Sequence, residues 1–349
     1  MIYVAFFVAL SALVPLGSAG GRQNTILFVL ALAALFLFVG FRWQVGCDWT
    51  GYLNIFEITR LASVEEVLAG REAGFGLLNV LLHSFELDYF WVNAAGALFF
   101  FVGLYFFARR EQNPLAVVAL AFPILIVNMP MSGVRQGIAI GFFMLAINAY
   151  RDGNRWLYAA AILAGSTFHQ SALIFLGLTP LIAVRKTVAT IAFALILSLP
   201  AMYLIFTGAA GFYAERYVGG GDEAAGAPFR TALLGLTGLL FFVVLRKRWL
   251  RDHPDDYELY SLASVMMLAV LPIALVSSVV GDRIGYYLIP FQLVIFARIP
   301  KLMKYDAAAP VYAVLPYVGL LVFFLAWINL SPLFERCYLP YDSVLFGVE

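Results

Sequence analysis

The chain has 349 residues, of which 63% are hydrophobic and 12% charged, with a formal net charge of +1 and a mean hydropathy of +0.90. Soluble domains carry roughly 25% charged residues, so this composition cannot solvate a water-soluble surface, and the near-neutral balance excludes nucleic acid as a partner. What remains is an all-α, polytopic transmembrane helical bundle, one integral unit over residues 1–349.

A spanning helix takes roughly 20 mainly apolar residues, and about twelve segments qualify as crossings. In chain order they are 2–18, 25–41, 89–107, 114–130, 134–150, 156–168, 171–184, 187–206, 231–245, 257–280, 286–297 and 311–330. The first lacks the basic start of a signal peptide and is read as a helix. The two segments flanking His169 are short; they either tilt or form a hairpin. The stretch Gly74–Phe85 is apolar but short and precedes Glu86 and Asp88, so it reads as interfacial or re-entrant. A full crossing there would reverse helix parity and move the N-terminus inside.

Alternate loops hold Arg22, Arg109 with Arg110, Arg151 with Arg155, Arg185 with Lys186, the Arg246–Arg251 cluster, and Arg298 with Lys301 and Lys304. These are fourteen of the 22 basic residues, and the positive-inside rule makes that face cytoplasmic. Both termini then lie outside, with the long loops 42–88 and 207–230. The chemistry is expected on that outer face, at the membrane surface. Gly219-Gly220-Gly221 lacks the Lys-Ser/Thr of a phosphate loop. Cys47 and Cys337 both fall on the outer side, where a disulfide is permitted; they are read as two free thiols. No Cys/His cluster is present, so no metal site is expected.

Four groups carry residues that chemistry would use. The first runs from Arg42 to Tyr52, where Trp43, Asp48 and Trp49 join a cation and a carboxylate to aromatic rings. These suit a sugar on a charged carrier; a snorkelling arginine in an aromatic belt is the alternative. The second is Met129–Gln136. Ser132 is the expected N-cap, placing Arg135 in a first turn, where the helix dipole disfavours a cation. Either an external anion is shared between the guanidinium and free N–H groups, or Arg135 pairs with a carboxylate such as Asp48 or Glu72. The third is His169, either a general base near working pH or a turn histidine bonded to backbone. The fourth is Gly281-Asp282-Arg283-Ile284-Gly285-Tyr286-Tyr287. Charge at bilayer depth is costly and often functional; a local salt bridge closing a turn is the alternative.

In order, Arg42, Val45-Gly46-x-Asp48-Trp49-x-x-Tyr52, Glu72-x-Gly74-Phe75, Arg135-Gln136-x-Ile138-Ala139, His169-x-Ser171-Ala172 and Asp282-Arg283 with Tyr286-Tyr287 resemble the EpsG family. These are Wzy-like proteins of bacterial exopolysaccharide and capsule assembly, and the resemblance spans roughly residues 35–300. It implies a GT-C-like bundle and a Wzy-type polymerase. Such an enzyme transfers glycan from undecaprenyl diphosphate to a hydroxyl of another lipid-linked repeat unit. Chain-length regulators and export proteins are the protein partners such a reaction has, with membrane lipids around it.

Under that reading Arg135, with Arg42 and Arg283, stabilises the diphosphate leaving group. His169, Asp48 and Asp282 are the candidates for the base. Gln136, Glu72, Trp43, Trp49, Tyr52 and Tyr286 contact substrate. No cofactor is required, because arginines take the place of a metal. A glycan ligase would use the same donor. An O-acyltransferase would draw its donor from the cytoplasm, and a flippase would place charge nearer the midplane. A purely structural scaffold would leave the outer arginines without a purpose.

Overall fold

The apolar runs become helices where their ends can be closed. Asn113 accepts from the Ala116 N–H and Pro114 opens the helix that follows; proline at a first helical position gives up only an N–H that has no intrahelical partner. Asn154 and Ser277 cap two more helix starts through Leu157 N–H and Val280 N–H. Ser63 and Glu66 form a reciprocal capping box.

The computed structural model describes residues 1–17, 22–184, 187–217 and 226–347. Gly219, Gly220, Gly221, Arg185 and Lys186 lie outside the described residues. Among those described are sixteen α-helices and two two-residue strands. The first half contains α1 (Ile2–Gly17), α2 (Arg22–Gly40), β1 (Arg42–Trp43), α3 (Trp49–Thr59), α4 (Val64–Ala69), α5 (Ala73–Ser84), α6 (Phe90–Ala108), α7 (Pro114–Ala121), α8 (Val134–Arg151) and α9 (Arg155–Ser166). The second contains α10 (Val188–Tyr217), α11 (Ala227–Leu240), α12 (Arg246–Asp252), α13 (Tyr257–Val276), α14 (Ser278–Leu302), α15 (Ala309–Leu330), α16 (Pro332–Tyr338) and β2 (Asp342–Ser343).

Among the described residues, five helical stretches are long and apolar enough to cross a membrane: Phe90–Ala108, Ala227–Asp252, Pro254–Val276, Ser278–Leu302 and Ala309–Leu330. The architecture is therefore all-α and membrane-type. Burial separates these five. The α14 window is 83% buried and that of α15 only 17%, so α14 is the central post and α15 faces lipid. Val311, Val314, Leu315 and Val322 of α15 are accordingly exposed, the reverse of a soluble helix.

Several elements depart from the sequence reading. Segment 171–184 is a 3-10 helix, Gln170–Leu181. At about 2.0 Å rise per residue such a helix reaches further than an α-helix of equal length, which is how so short a segment covers its distance. The span expected over 257–280 stops at Val276, where Ser277 breaks and recaps the chain. Asp282 and Arg283 consequently sit inside α14, not in a turn. Loop 42–88 holds three helices. Residues 74–85 stay at one end of the bundle, because Gly74 N–H donates to Thr167 O (2.9 Å) and His83 Nε2 bonds Phe56 O (2.8 Å) at the other end of α5. Much of the expected loop 207–230 is helical, with α10 running to Tyr217 and α11 beginning at Ala227.

The free-thiol reading of the cysteines is corrected: Cys47 and Cys337 form a disulfide across 290 residues. Backbone pairing brings them together. Arg42 faces Ser343 and Trp43 faces Asp342 in an antiparallel pair, and Gly46 N–H donates to Cys337 O at 2.7 Å. Tyr3 Oη also donates to Tyr338 O (2.9 Å), tying both termini to one end of the bundle.

Candidate functional site

Three chain segments meet at the end of the bundle where α8 begins. The first is the residue before α5, the second the first turn of α8, and the third the turn between α9 and the 3-10 helix. Glycine makes the meeting possible. A Cβ on Gly74 would lie 2.3 Å from Thr167 Oγ1, so only glycine lets the start of α5 reach the α9 turn. Gly46, at φ +114°, lies where a Cβ would fall 2.0 Å from Met131 O. It seats the Cys47–Asp48 turn on the segment leading into α8.

Glu72 is the centre of this meeting. Its Oε2 accepts a hydrogen bond from Arg135 Nη1, and its Oε1 lies 3.1 Å from His169 Nδ1. That second contact is close but off the hydrogen-bond axis, since Nδ1 has no aligned acceptor. Gln170 N–H also points to Oε1 at 3.4 Å, and Gln170 Nε2 donates to Arg71 O at 3.1 Å. The Arg135 guanidinium lies 5.4 Å from the Tyr52 ring centre and 5.9 Å from that of Phe75, within cation–π range. The Arg135 side chain keeps 37% of its surface open, against 16% for Glu72 and 18% for His169. The cation is therefore the member of the trio most open to a ligand.

The ion pair with Glu72, one of the two readings of Arg135, is present. Its helix is capped by Gly133 without a side-chain bond, not by Ser132. The Glu72 carboxylate supplies negative charge at this helix start, where the dipole favours it.

The titration of the pair follows from this packing. Burial pushes the Glu72 carboxyl up; the imidazole, Arg135 and the Gln170 N–H outweigh it and hold it below the ordinary range. Burial pushes His169 down, Glu72 pulls it up, and the charges of Arg283 and Arg135 add to the downward push, leaving it below an ordinary imidazole. Glu72 is thus ionised and His169 neutral at neutral pH.

The other sequence candidates divide. Gln136 Nε2 donates to the Arg283 carbonyl at 2.7 Å, joining α8 to α14 beside the trio, and the Arg283 charge acts on His169. Asp48 is exposed, and its charge reaches Tyr52 and Tyr286. Asp282 does not close a turn with Arg283; it takes a two-pronged pair from Arg230, with Nε–Oδ1 2.8 Å and Nη2–Oδ2 2.7 Å. Arg230 also lies 5.2 Å from the Tyr286 ring centre. Arg42 is 1% exposed. It donates to Val39 O, Val45 O and Asn93 Oδ1 at 2.6, 2.9 and 2.7 Å, so it braces the end of α2 from inside the bundle. Trp49 and Tyr52 are buried with Phe56, Phe75 and Tyr89. Trp43, half-buried, meets Trp49 edge-on at 5.5 Å.

The EpsG family model matches residues 25–343. The chain belongs to the EpsG family. The match reaches beyond the 35–300 span of the motifs at both ends and takes in Cys337 and β2. An EpsG-family assignment together with the long apolar helices makes this a membrane protein of exopolysaccharide biosynthesis. No curated protein and no solved structure matches the chain.

Sequence reasoning missed two groups. Arg230 closes the expected outer loop 207–230, and nothing in its sequence neighbourhood marks Asp282 as its partner. Asn93 carried a signal that was not used: a polar amide inside an apolar helix is costly without a partner, and Arg42 is that partner.

Proposed function

We propose that this EpsG-family chain is a Wzy-type polysaccharide polymerase. It would transfer glycan from undecaprenyl diphosphate to a hydroxyl of another lipid-linked repeat unit, at the outer face of the bacterial cytoplasmic membrane. The observation that carries the reading is the contact of Arg135 and His169 through Glu72. It joins a cation for a departing anion to a neutral base, at one end of a membrane bundle. In this reading the helical segments make twelve crossings of a GT-C-like bundle, with both termini outside. The positive-inside count supports that orientation.

The step balances as follows. The acceptor hydroxyl oxygen bonds to the anomeric carbon of the donor, and its proton passes to His169 Nε2. The bond from the anomeric carbon to the diphosphate oxygen breaks, and undecaprenyl diphosphate departs with the electron pair. Glu72, beside Nδ1, balances the imidazolium as it forms. Arg135, with donors beyond the one engaged by Glu72, stabilises charge that grows on the leaving group. Arg283 is its neighbour in that task. Asp282 and Arg230 hold α14 against α11, a positioning role, and Asp48 is the second candidate for contact with the acceptor.

The test is a strain lacking the gene, complemented with wild type or His169→Gln at equal membrane abundance. Null and variant strains should accumulate single repeat units on lipid. Full-length polymer retained on its carrier would favour a ligase. Polymer made and exported normally would remove glycosyl transfer from consideration.

The pH profile gives a second check. The base works only when neutral, so activity falls as pH falls through the His169 pKa. Because that value is depressed, the rate in proteoliposomes should stay level down to about 6.5, the ordinary imidazole value, and decline only below it. His169→Gln should lower the rate by roughly 10²–10⁴ and remove the acid limb. An acid limb unchanged in His169→Gln would assign it to another group.

A further inference from the structure

At the end of the bundle opposite Arg135, a cavity of about 610 Å³ opens between α1, α7, α14 and α15. Its walls are mostly aliphatic, including Val14, Pro15, Ala313 and Val314. Besides the exposed Gln112 amide, three polar groups line it without a counterpart. Ser11 Oγ is buried and has no hydrogen-bond partner. The Tyr317 hydroxyl and the Lys301 ammonium have none among the described residues. Two further charges reach the cavity, Arg298 and Glu111, and they are paired with each other at 2.7 Å. Lys301 is therefore the surplus charge of this lining.

We propose that this cavity binds an anionic diacyl phospholipid. The vertical order of the groups fits one. Lys301 is in the last turn of α14, at the level of a lipid phosphate. Ser11 and Tyr317 lie further along α1 and α15 from that end, at the level of the glycerol esters, whose carbonyls accept from hydroxyls. The acyl chains run on past Val314 over the lipid-facing side of α15, where Val311, Val318 and Val322 are exposed. A water-soluble anion would use the lysine and leave the aliphatic walls and both hydroxyls without a role. Basic pockets between membrane helices are recognised sites for anionic head groups. The lipid would wedge α15, the least buried of the long helices, against α1 and α14. The inference does not depend on the polymerase reading.

Native mass spectrometry of the full chain, with phosphatidylglycerol and phosphatidylcholine offered at equal concentration, tests it. Wild type should retain phosphatidylglycerol in preference. Lys301→Gln should weaken that retention about tenfold, the effect of losing one charge-assisted contact. Tyr317→Phe should weaken it for both lipids. Lys247→Gln, an exposed cation at the same end of the bundle, should behave as wild type. Equal retention of the two lipids by wild type, or a preference unchanged in Lys301→Gln, overturns the proposal. Displacement of the lipid by excess inorganic phosphate also overturns it, in favour of a soluble-anion site.

Discussion

Arg135→Ala should reduce polymer formation by roughly 10²–10³-fold at equal membrane abundance, the range for removing one donor that stabilises a transition-state anion. Arg135→Lys is the sharper variant. It keeps the charge beside Glu72 and Tyr52 but loses the planar fork that can hold a carboxylate and a phosphate together. Its rate should fall toward that of the alanine variant. Truncation has a second consequence: it leaves the partly buried Glu72 carboxylate without its cation, and an orphaned charge destabilises in its own right. Arg135→Ala with Glu72→Gln separates the effects, because the amide has no charge to orphan. If the double variant is as stable as wild type and far less active than Glu72→Gln alone, the loss belongs to the chemistry of Arg135. If its activity returns, Arg135 serves only to neutralise Glu72, and the leaving-group role is wrong.

The sequence made some of this geometry legible and concealed the rest for physical reasons. Apolar runs report burial in lipid directly, so the helical class and most segments were readable. Helix ends were not, because a break such as Ser277 depends on one hydroxyl capping Val280 N–H, while the apolar run continues across it. Arg135 was marked by a conflict visible in one dimension, a cation at a helix start. That it pairs with Glu72 and not with Asp48 depends on Gly74 admitting Thr167, a close approach between distant segments. Arg42 shows the opposite case: a cation among aromatics reads as a substrate ligand, while its guanidinium engages Val39 O, Val45 O and Asn93 Oδ1 inside the bundle. The disulfide was hidden for a similar reason, since 290 residues separate its ends and only the pairing of β1 with β2 brings them together.

The basic face concealed most. Read as topology anchors, Arg151 and Arg298 are in fact part of a buried four-charge cluster at the end opposite Arg135. Arg298 binds Glu111 through two donors at 2.7 and 2.9 Å and Asp256 at 2.9 Å. Arg151 binds Glu111 at 2.9 Å and Asp256 at 3.3 Å. Trp249 Nε1 donates to Asp256 at 2.9 Å, and the Trp249 ring centre lies 4.8 Å from the Arg298 guanidinium. Glu111 stands between α6 and α7, Arg151 ends α8, Asp256 precedes α13 and Arg298 is on α14, so one cluster fastens the ends of five helices. Removing one partner of a buried pair leaves an uncompensated charge and costs about 3–5 kcal/mol. Arg298→Ala should therefore lower stability in detergent by about that amount. Glu111→Leu with Arg298→Leu should recover most of it, because Arg151 and Asp256 still neutralise each other. The effect should reach the candidate site. Arg135 and Arg151 lie on the same helix, as do Asp282 and Arg298, about 24 Å apart at 1.5 Å per residue. Loosening this end therefore frees the helices that carry Arg135 and its neighbours Asp282 and Arg283. Thermal unfolding of the single and double variants decides the point. A loss under about 1 kcal/mol in Arg298→Ala would place the cluster in the weak, solvent-screened class and remove it as the fastening of the bundle.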